Sequence, residues 1–299
     1  MGMAFKWDRA AGTVSLSNPR HTACILGDFG MEDCKPSSTP MVHGLVLGDG
    51  ERLEEPNRYA ELVGSLLFLA NQRRADIAFA VGRLERRMAI TTEGDMAAAK
   101  AVVRYLKSTK DMGLVYGWAE RLAGWADSDW AGHVGKRKCT TGFVFTLHGG
   151  PISWRSRLQG LVTSSTMEAE YVVASEGVKD SLWLRRLVGF MREDSSPVTI
   201  REDNQACMAL ASDGIFSTKS KHVDARFQLV RDNVVRGEVF LEYTPTEVML
   251  ADGFTKALDR PALLKFREAL WVQVVRAWRA LRPGCVPVRR GCALAVGEC

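Results

Sequence analysis

Four acidic residues in the second half of the chain each stand beside an apolar segment. They are Asp127 in Leu-Ala-Gly-Trp-Ala-Asp-Ser-Asp-Trp, Glu170 in Ser-Ser-Thr-Met-Glu-Ala-Glu-Tyr, Asp203 in Val-Thr-Ile-Arg-Glu-Asp-Asn, and Asp252 in Val-Met-Leu-Ala-Asp. A carboxylate at a core edge is costly unless something cationic meets it. Four of them converging from separate strands and helices would form an oxygen-rich cage suited to Mg²⁺, and two such ions suit phosphodiester chemistry. Taken singly, each acid has a plainer use. Asp127 could satisfy turn amides after a strand, Asp203 could cap a helix beginning near Asn204, and Asp252 could face solvent from a helix.

Neighbouring acids separate on local grounds. Ser165-Thr166-Met167-Glu168 fits a capping box, which gives Glu168 a structural task. Glu170 has no such partner and begins the stripe that runs into Ala174 and Val178. Asp127 projects from the end of a strand, whereas Asp129 is expected one turn on, beside Trp130-Ala131-Gly132, as a loop or outer residue. Basic residues at Lys138, Arg155 and Arg157, in Lys136-Arg-Lys138 and Trp154-Arg-Ser-Arg157, are either phosphate contacts or solvated turn charges.

The elements that must position these acids follow from periodicity. Leu122–Ala126, Gly142–Leu147 and Ile152–Arg157 read as short strands of an antiparallel meander. A long helix opens near Ser165 and runs to about Met191. Val198 and Ile200 alternate in a strand that ends at Asp203. Val223, Phe227, Val230 and Val234 mark a helix closed by Gly237, and Val239, Leu241 and Tyr243 a last strand. Thr246 is placed to cap a helix carrying Asp252. Before residue 117 the pattern is different: a hairpin over 3–17, a short helix after Pro19, a loop over 35–56, then three helical stripes. The stripes are Tyr59 to Ala70, Ile77 to Met88 and Met96 to Leu106. That unit, 1–117, has no acidic constellation of its own.

Bulk properties narrow the class. Of 299 residues, 46% are hydrophobic and 25% charged, enough for one large or two ordinary cores without wholesale disorder. A net charge of +5 permits a phosphate-bearing partner without requiring one. The seven cysteines include no Cys-x-x-Cys pair, which argues against zinc and against a secreted disulfide framework. No apolar run approaches the ~18 residues of a membrane span, and no signal peptide is legible. The expectation is an intracellular chain, cytoplasmic or nuclear, without a membrane partner.

The words around the acids carry more than their count. Leu122–Gly132, Lys136–Phe145, Ile152–Tyr171, Glu202–Gln205, Ser220–Arg226 and Tyr243–Lys256 occur in this order and together resemble the ribonuclease H region of copia-type (pseudoviral) retrotransposon Pol polyproteins. Upstream, Phe29-Gly-Met-Glu-Asp-Cys-Lys-Pro-Ser-Ser-Thr-Pro-Met, Tyr59-Ala-Glu-Leu-Val-Gly-Ser-Leu-Leu-Phe-Leu-Ala-Asn and Val103-Arg-Tyr-Leu-Lys-Ser-Thr-Lys-Asp-Met-Gly-Leu-Val-Tyr-Gly resemble the reverse-transcriptase segment downstream of the palm. The likeness covers about residues 3–269.

This resemblance implies an α/β fold: a ribonuclease H-like five-stranded mixed sheet flanked by helices over 118–269, preceded by a mostly helical thumb- or connection-like unit. It implies a catalytic and metal-binding set of Asp127, Glu170, Asp203 and Asp252, with Asp127 bridging two Mg²⁺ ions (Mn²⁺ substituting). It further implies hydrolysis of the RNA strand of an RNA–DNA hybrid, with the remainder of a reverse transcriptase as a possible partner. The sequence leaves oligomeric state open.

Departures qualify it. No Asp-Asp pair occurs in the chain, so the palm motif and polymerase activity are not expected of it. The loop before the last acid lacks the histidine that many ribonucleases H place there; Thr246 or Glu247 occupies the region. His222 reads as a helix-start or core histidine, and Arg74-Ala75-Asp76 stands where Arg-Pro-Asp is usual. Residues 270–299, rich in Arg and Cys, match nothing in the pattern and are expected to be irregular. The rival reading is a catalytically silent nucleic-acid-binding remnant.

Overall fold

Phe5 and Trp7 alternate with polar residues, as do Val14 and Leu16 across a turn. The two runs pair as antiparallel strands β1 (Ala4–Asp8) and β2 (Thr13–Ser17). The computed structural model describes residues 3–117, 121–129, 138–163, 165–192, 196–213 and 221–275. Pro19 opens helix α1 (Pro19–Asp28), where its missing N–H costs nothing. After a loop come α2 (Pro56–Gln72), a 3₁₀ turn (Ala75–Ile77), α3 (Ala78–Glu85) and α4 (Glu93–Ser108). A reciprocal box starts α4, in which the Asp95 N–H donates to the Thr92 hydroxyl and the Thr92 N–H to the Asp95 carboxylate. Strand β3 (Met112–Tyr116) follows.

The second unit begins with the meander β4 (Ala123–Asp129), β5 (Thr140–Leu147) and β6 (Gly150–Leu158). It continues through α5 (Thr166–Arg192), β7 (Val198–Glu202), α6 (Gln205–Asp213), α7 (Lys221–Val235) and β8 (Val239–Tyr243). The sheet order is β6-β5-β4-β7-β8, with β7 and β8 parallel to β4. This is the expected five-stranded mixed sheet. Two 3₁₀ turns, Thr246–Val248 and Leu250–Phe254, lead to α8 (Arg260–Ala269), which Asp259 caps through the Ala262 N–H.

Two expectations need correction here. Asp252 sits in a 3₁₀ turn rather than on an α-helix capped by Thr246, and the α-helix begins only after it. The tail is also not irregular from residue 270. Strand β9 (Val272–Val274) pairs with β3 and completes a second sheet, β1-β2-β3-β9, with Val272 buried against the core. Residues 276–299 lie outside the described residues.

Strand alternation assigns the faces of the five-stranded sheet. Trp125, Val144 and Trp154 stand in one cross-strand row and join the core of the N-terminal helices. Ala126 and Phe143, one residue along, face the other way into the core with α5 and α7. The Trp154 indole N–H donates to the Ala70 carbonyl of α2 at 2.8 Å. At Gly82 of α3 the backbone comes so close that a Cβ would stand 3.0 Å from the Ser156 carbonyl. The element types change near 117, but the apolar core runs across that point and includes Leu263 and Phe266 of α8.

Inside this shared core Arg74 is paired with Asp76 at 2.8 Å, both nearly inaccessible. The Tyr105 hydroxyl donates to the same carboxylate and Arg74 also donates to the Thr109 hydroxyl and carbonyl, so the buried charges are hydrogen-bonded on several sides. Among the described residues no helix is long and apolar enough to cross a membrane.

Candidate active site

Each of the four acids is delivered by a different element. Asp127 is the fifth residue of β4, where apolar Trp125 and Ala126 commit the strand to two cores. Its Oδ2 accepts a 2.5 Å hydrogen bond from the Thr255 hydroxyl. Glu170 stands near the start of α5. The Ser165 hydroxyl accepts from the Glu168 N–H there, and the Gln159 side chain donates to the Ala169 carbonyl, so the helix start is tied to the end of β6. Ser165 caps the helix through the Glu168 N–H, the half of the expected box that involves its hydroxyl, and Glu170 is buried.

Asp203 follows the last residue of β7. Asn204, rather than Asp203, caps α6 by accepting from the Cys207 N–H at 3.0 Å. Asp203 is thereby left to the cleft, where it accepts from the Thr246 hydroxyl at 2.8 Å. That contact also explains why Thr246 caps no helix: its hydroxyl is turned towards the acid.

Asp127, Glu170 and Asp203 each offer a carboxylate oxygen within 4.8 Å of the others. Asp252 lines the same cleft but is paired with Lys256 Nζ at 2.7 Å. The cleft encloses about 270 Å³ and is open to solvent. Asp129 is part of β4 and lines the cleft, correcting its assignment to a loop. The strand runs three residues further than its apolar run suggests because Asp129 still pairs with Thr140 of β5.

Crowding of like charges away from water shapes the electrostatics. Burial first, then the neighbouring Asp252 and Asp203, push Asp127 up to about 7 against the Thr255 hydrogen bond. Burial, then Asp127 and Asp203, push Glu170 up to about 9. Asp252 is also raised, chiefly by burial, with Lys256 opposing.

Behind Glu170 lies Glu202, fully buried and held well above the ordinary carboxylate range by burial and by Glu170. Sequence reasoning missed it, although the alternation that puts Val198 and Ile200 inside continues to Glu202. Thr255 and Lys256 were missed as well, and no local pattern marks them.

The basic candidates fall elsewhere. Arg157 pairs with Glu176 of α5 at 2.7 Å, Arg155 lies over the Phe143 ring, and Lys138 donates to the Gly160 carbonyl. None of the three lines the acidic cleft. Lys136 and the side chain of His222 lie outside the described residues.

No family model matches the chain. The retrovirus-related Pol polyprotein from transposon TNT 1-94 of Nicotiana tabacum is 32% identical over 271 residues, which is 87% of this chain and 20% of that protein. The Pol polyprotein from transposon RE2 of Arabidopsis thaliana is 33% identical over 264 residues, again 87% of this chain and 18% of that protein. The chain belongs to the copia-type retrovirus-related Pol polyproteins. It spans about a fifth of the length of these curated Pol polyproteins. Among solved structures, LC11-RNase H1 in complex with RNA/DNA hybrid is similar at a TM-score of 0.34 and 16% identity, over 45% of this chain and 94% of that one. In this Pol segment the five-stranded mixed sheet and its acidic cleft occupy the second unit, with the N-terminal helices packed against one face.

Proposed function

We propose that this Pol segment hydrolyses the RNA strand of an RNA–DNA hybrid endonucleolytically, with Mg²⁺ as cofactor. The observation that supports it is the meeting of Asp127, Glu170 and Asp203 within 4.8 Å at the end of the mixed sheet. Asp127 and Glu170 are buried and Asp203 is half-buried, so three like charges crowd together with little water between them. Hard oxygen donors, with Glu170 Oε2 buried and lacking a hydrogen-bond partner, fit a hard divalent cation. Asp127, Glu170, Asp203 and Asp252 would hold it; when bound, it supplies an activated water and positive charge for the departing oxygen.

The chain's own residues set the conditions for that chemistry. Thr255 fixes one lone pair of Asp127 and so the carboxylate's orientation. Thr246 does the same for Asp203. Glu202, whose carboxyl is pushed well above the ordinary carboxylate range by burial and then by Glu170, backs Glu170 from inside the core. Lys256 balances Asp252 on the open side of the cleft. In the reaction a water oxygen bonds to phosphorus, the P–O3′ bond breaks, and a 3′-hydroxyl and a 5′-phosphate result. Polymerisation is not assigned to this segment, whose sequence holds no Asp-Asp pair.

The test is cleavage of an end-labelled RNA–DNA hybrid by the full chain in Mg²⁺ or Mn²⁺, with Glu170→Gln as control. Endonucleolytic RNA fragments lost in the variant and in chelator support the proposal. Hybrid binding with no cleavage in either metal would instead identify a silent binding remnant.

A further inference from the structure

Arg83, in the last turn of α3, and Arg86, the helical-conformation residue that caps its end, stand three residues apart, close enough for two long side chains to share a face. The Gly82–Ser156 approach seats that helix against the sheet, and Arg86 Nη1 donates to the Thr140 hydroxyl at 3.4 Å. Thr140 is the cross-strand partner of Asp129, and Gly142, two residues on, is the partner of Asp127. The two guanidinium groups therefore lie along the sheet face from which the acids of β4 reach the cleft. Arg83 and Asp129 are near enough to act on each other electrostatically.

Other arginines of the N-terminal helices show what is unusual here. Arg74 is paired with Asp76, and Arg87 with Asp95 at 3.1 Å. Among the described residues neither Arg83 nor Arg86 has a carboxylate within ion-pair distance. Arg86 Nη2 is buried with no hydrogen-bond partner. Two partly desolvated cations side by side are unfavourable unless an anion meets them. The anion that would pass this rim is the one the neighbouring acids are arranged to handle.

We propose that Arg83 and Arg86 form a phosphate-binding site for the nucleic-acid backbone at the rim of the acidic cleft, so that the N-terminal helical unit supplies part of the substrate site. Arg83, the less buried of the two, meets the phosphate, and Arg86 adds its charge from behind. The contact carries no base specificity, because a phosphate looks the same at every step of the strand. The proposal rests on the nucleic-acid reading of the cleft.

The experiment measures binding of the full chain to a fluorescent RNA–DNA hybrid in Ca²⁺ across a salt series, with cleavage followed separately in Mg²⁺. Arg83→Gln is expected to weaken binding about tenfold and to lower the slope of log affinity against log salt by about one. KM should rise more than kcat falls, and Arg83→Lys should keep the slope. Arg236→Gln, which removes a charge before β8 at the opposite end of the sheet, serves as the control for net charge.

If Arg86→Gln fails to fold, Arg83→Gln decides alone. Wild-type affinity and slope in Arg83→Gln, with the wild type binding and cutting hybrid, overturn this site and leave the ribonuclease reading standing. A wild type that binds without cutting overturns that reading, and the slope still decides the site. A wild type that binds no hybrid overturns both.

Discussion

The Thr255 hydroxyl donates a 2.5 Å hydrogen bond to Oδ2 of Asp127, joining a strand acid to a residue 128 positions later. Thr255 directly follows the 3₁₀ turn that carries Asp252, so this bond couples two of the four acids through one side chain. Thr255→Val keeps the shape and removes the donor. Hydrogen bonds to charged groups are worth about 1.5–3 kcal/mol, so kcat should fall by about tenfold or more. Asp127→Asn should abolish activity while circular dichroism and melting stay near wild type. Full activity in Asp127→Asn would remove this carboxylate from the site.

Asp127 and Glu170 hold their protons more tightly in the folded chain than in the unfolded one, chiefly because burial raises them to about 7 and about 9. Their contribution to stability is present at and below about pH 4, the ordinary carboxylate range. It is lost as pH rises through about 7 and then about 9. In chelator the melting temperature should fall across that window, and Mg²⁺ should restore it by an increment that grows with pH. A Mg²⁺ increment absent at every pH would count against a metal site.

Burial alone would raise Asp76, but the charge of Arg74 and the hydrogen bonds from Arg74 and Tyr105 hold it below the ordinary range. This carboxylate therefore stabilises the fold at neutral pH, and its contribution is lost as pH falls through the folded value. Asp76→Asn leaves Arg74 buried without its counter-charge, at a cost of about 3–5 kcal/mol. Because Trp125 and Trp154 pack on the same core as Arg74's helices, their fluorescence should report one lowered transition. Two separate transitions would show that the units fold independently.

Gly142 of β5 is the cross-strand partner of Asp127, and a Cβ there would stand 2.5 Å from Thr255 Cγ2 and 3.0 Å from the Ala251 carbonyl. Gly142→Ala should push the Asp252 turn off the sheet, costing about 1–3 kcal/mol and most of the activity. Gly64→Ala, in the middle of α2 with nothing within 4 Å, should instead stabilise by about 0.5–1 kcal/mol. Unfolding midpoints and initial rates for the two variants make the comparison.

Much of the sheet was legible because its signals are local. Alternation in Val198 and Ile200, the meander of three short strands, and Gly237 at a φ of 67° after α7 each depend on a few neighbouring residues. The choice of Glu170 over Glu168 was likewise local, since the Ser165 cap uses Glu168. Asp129 was misplaced because a polar strand end looks like a loop when the partner strand is not in view. Asp252 was placed on a helix because a 3₁₀ turn has the same short apolar spacing as the first turn of an α-helix.

The sequence by itself determined the order of the acids and the elements that carry Asp127, Glu170 and Asp203, though not the turn under Asp252, because strand alternation and helix capping act over a few residues. Tertiary structure alone decided what surrounds the acids: Thr255 on Asp127, Lys256 on Asp252, Glu202 behind Glu170, Arg83 facing Asp129, and Arg86 on the adjacent Thr140. Those contacts depend on how the N-terminal helices and the last turns close on one face of the sheet. Pairings across such distances in the chain leave no period in it, since what selects them is burial of charge against charge.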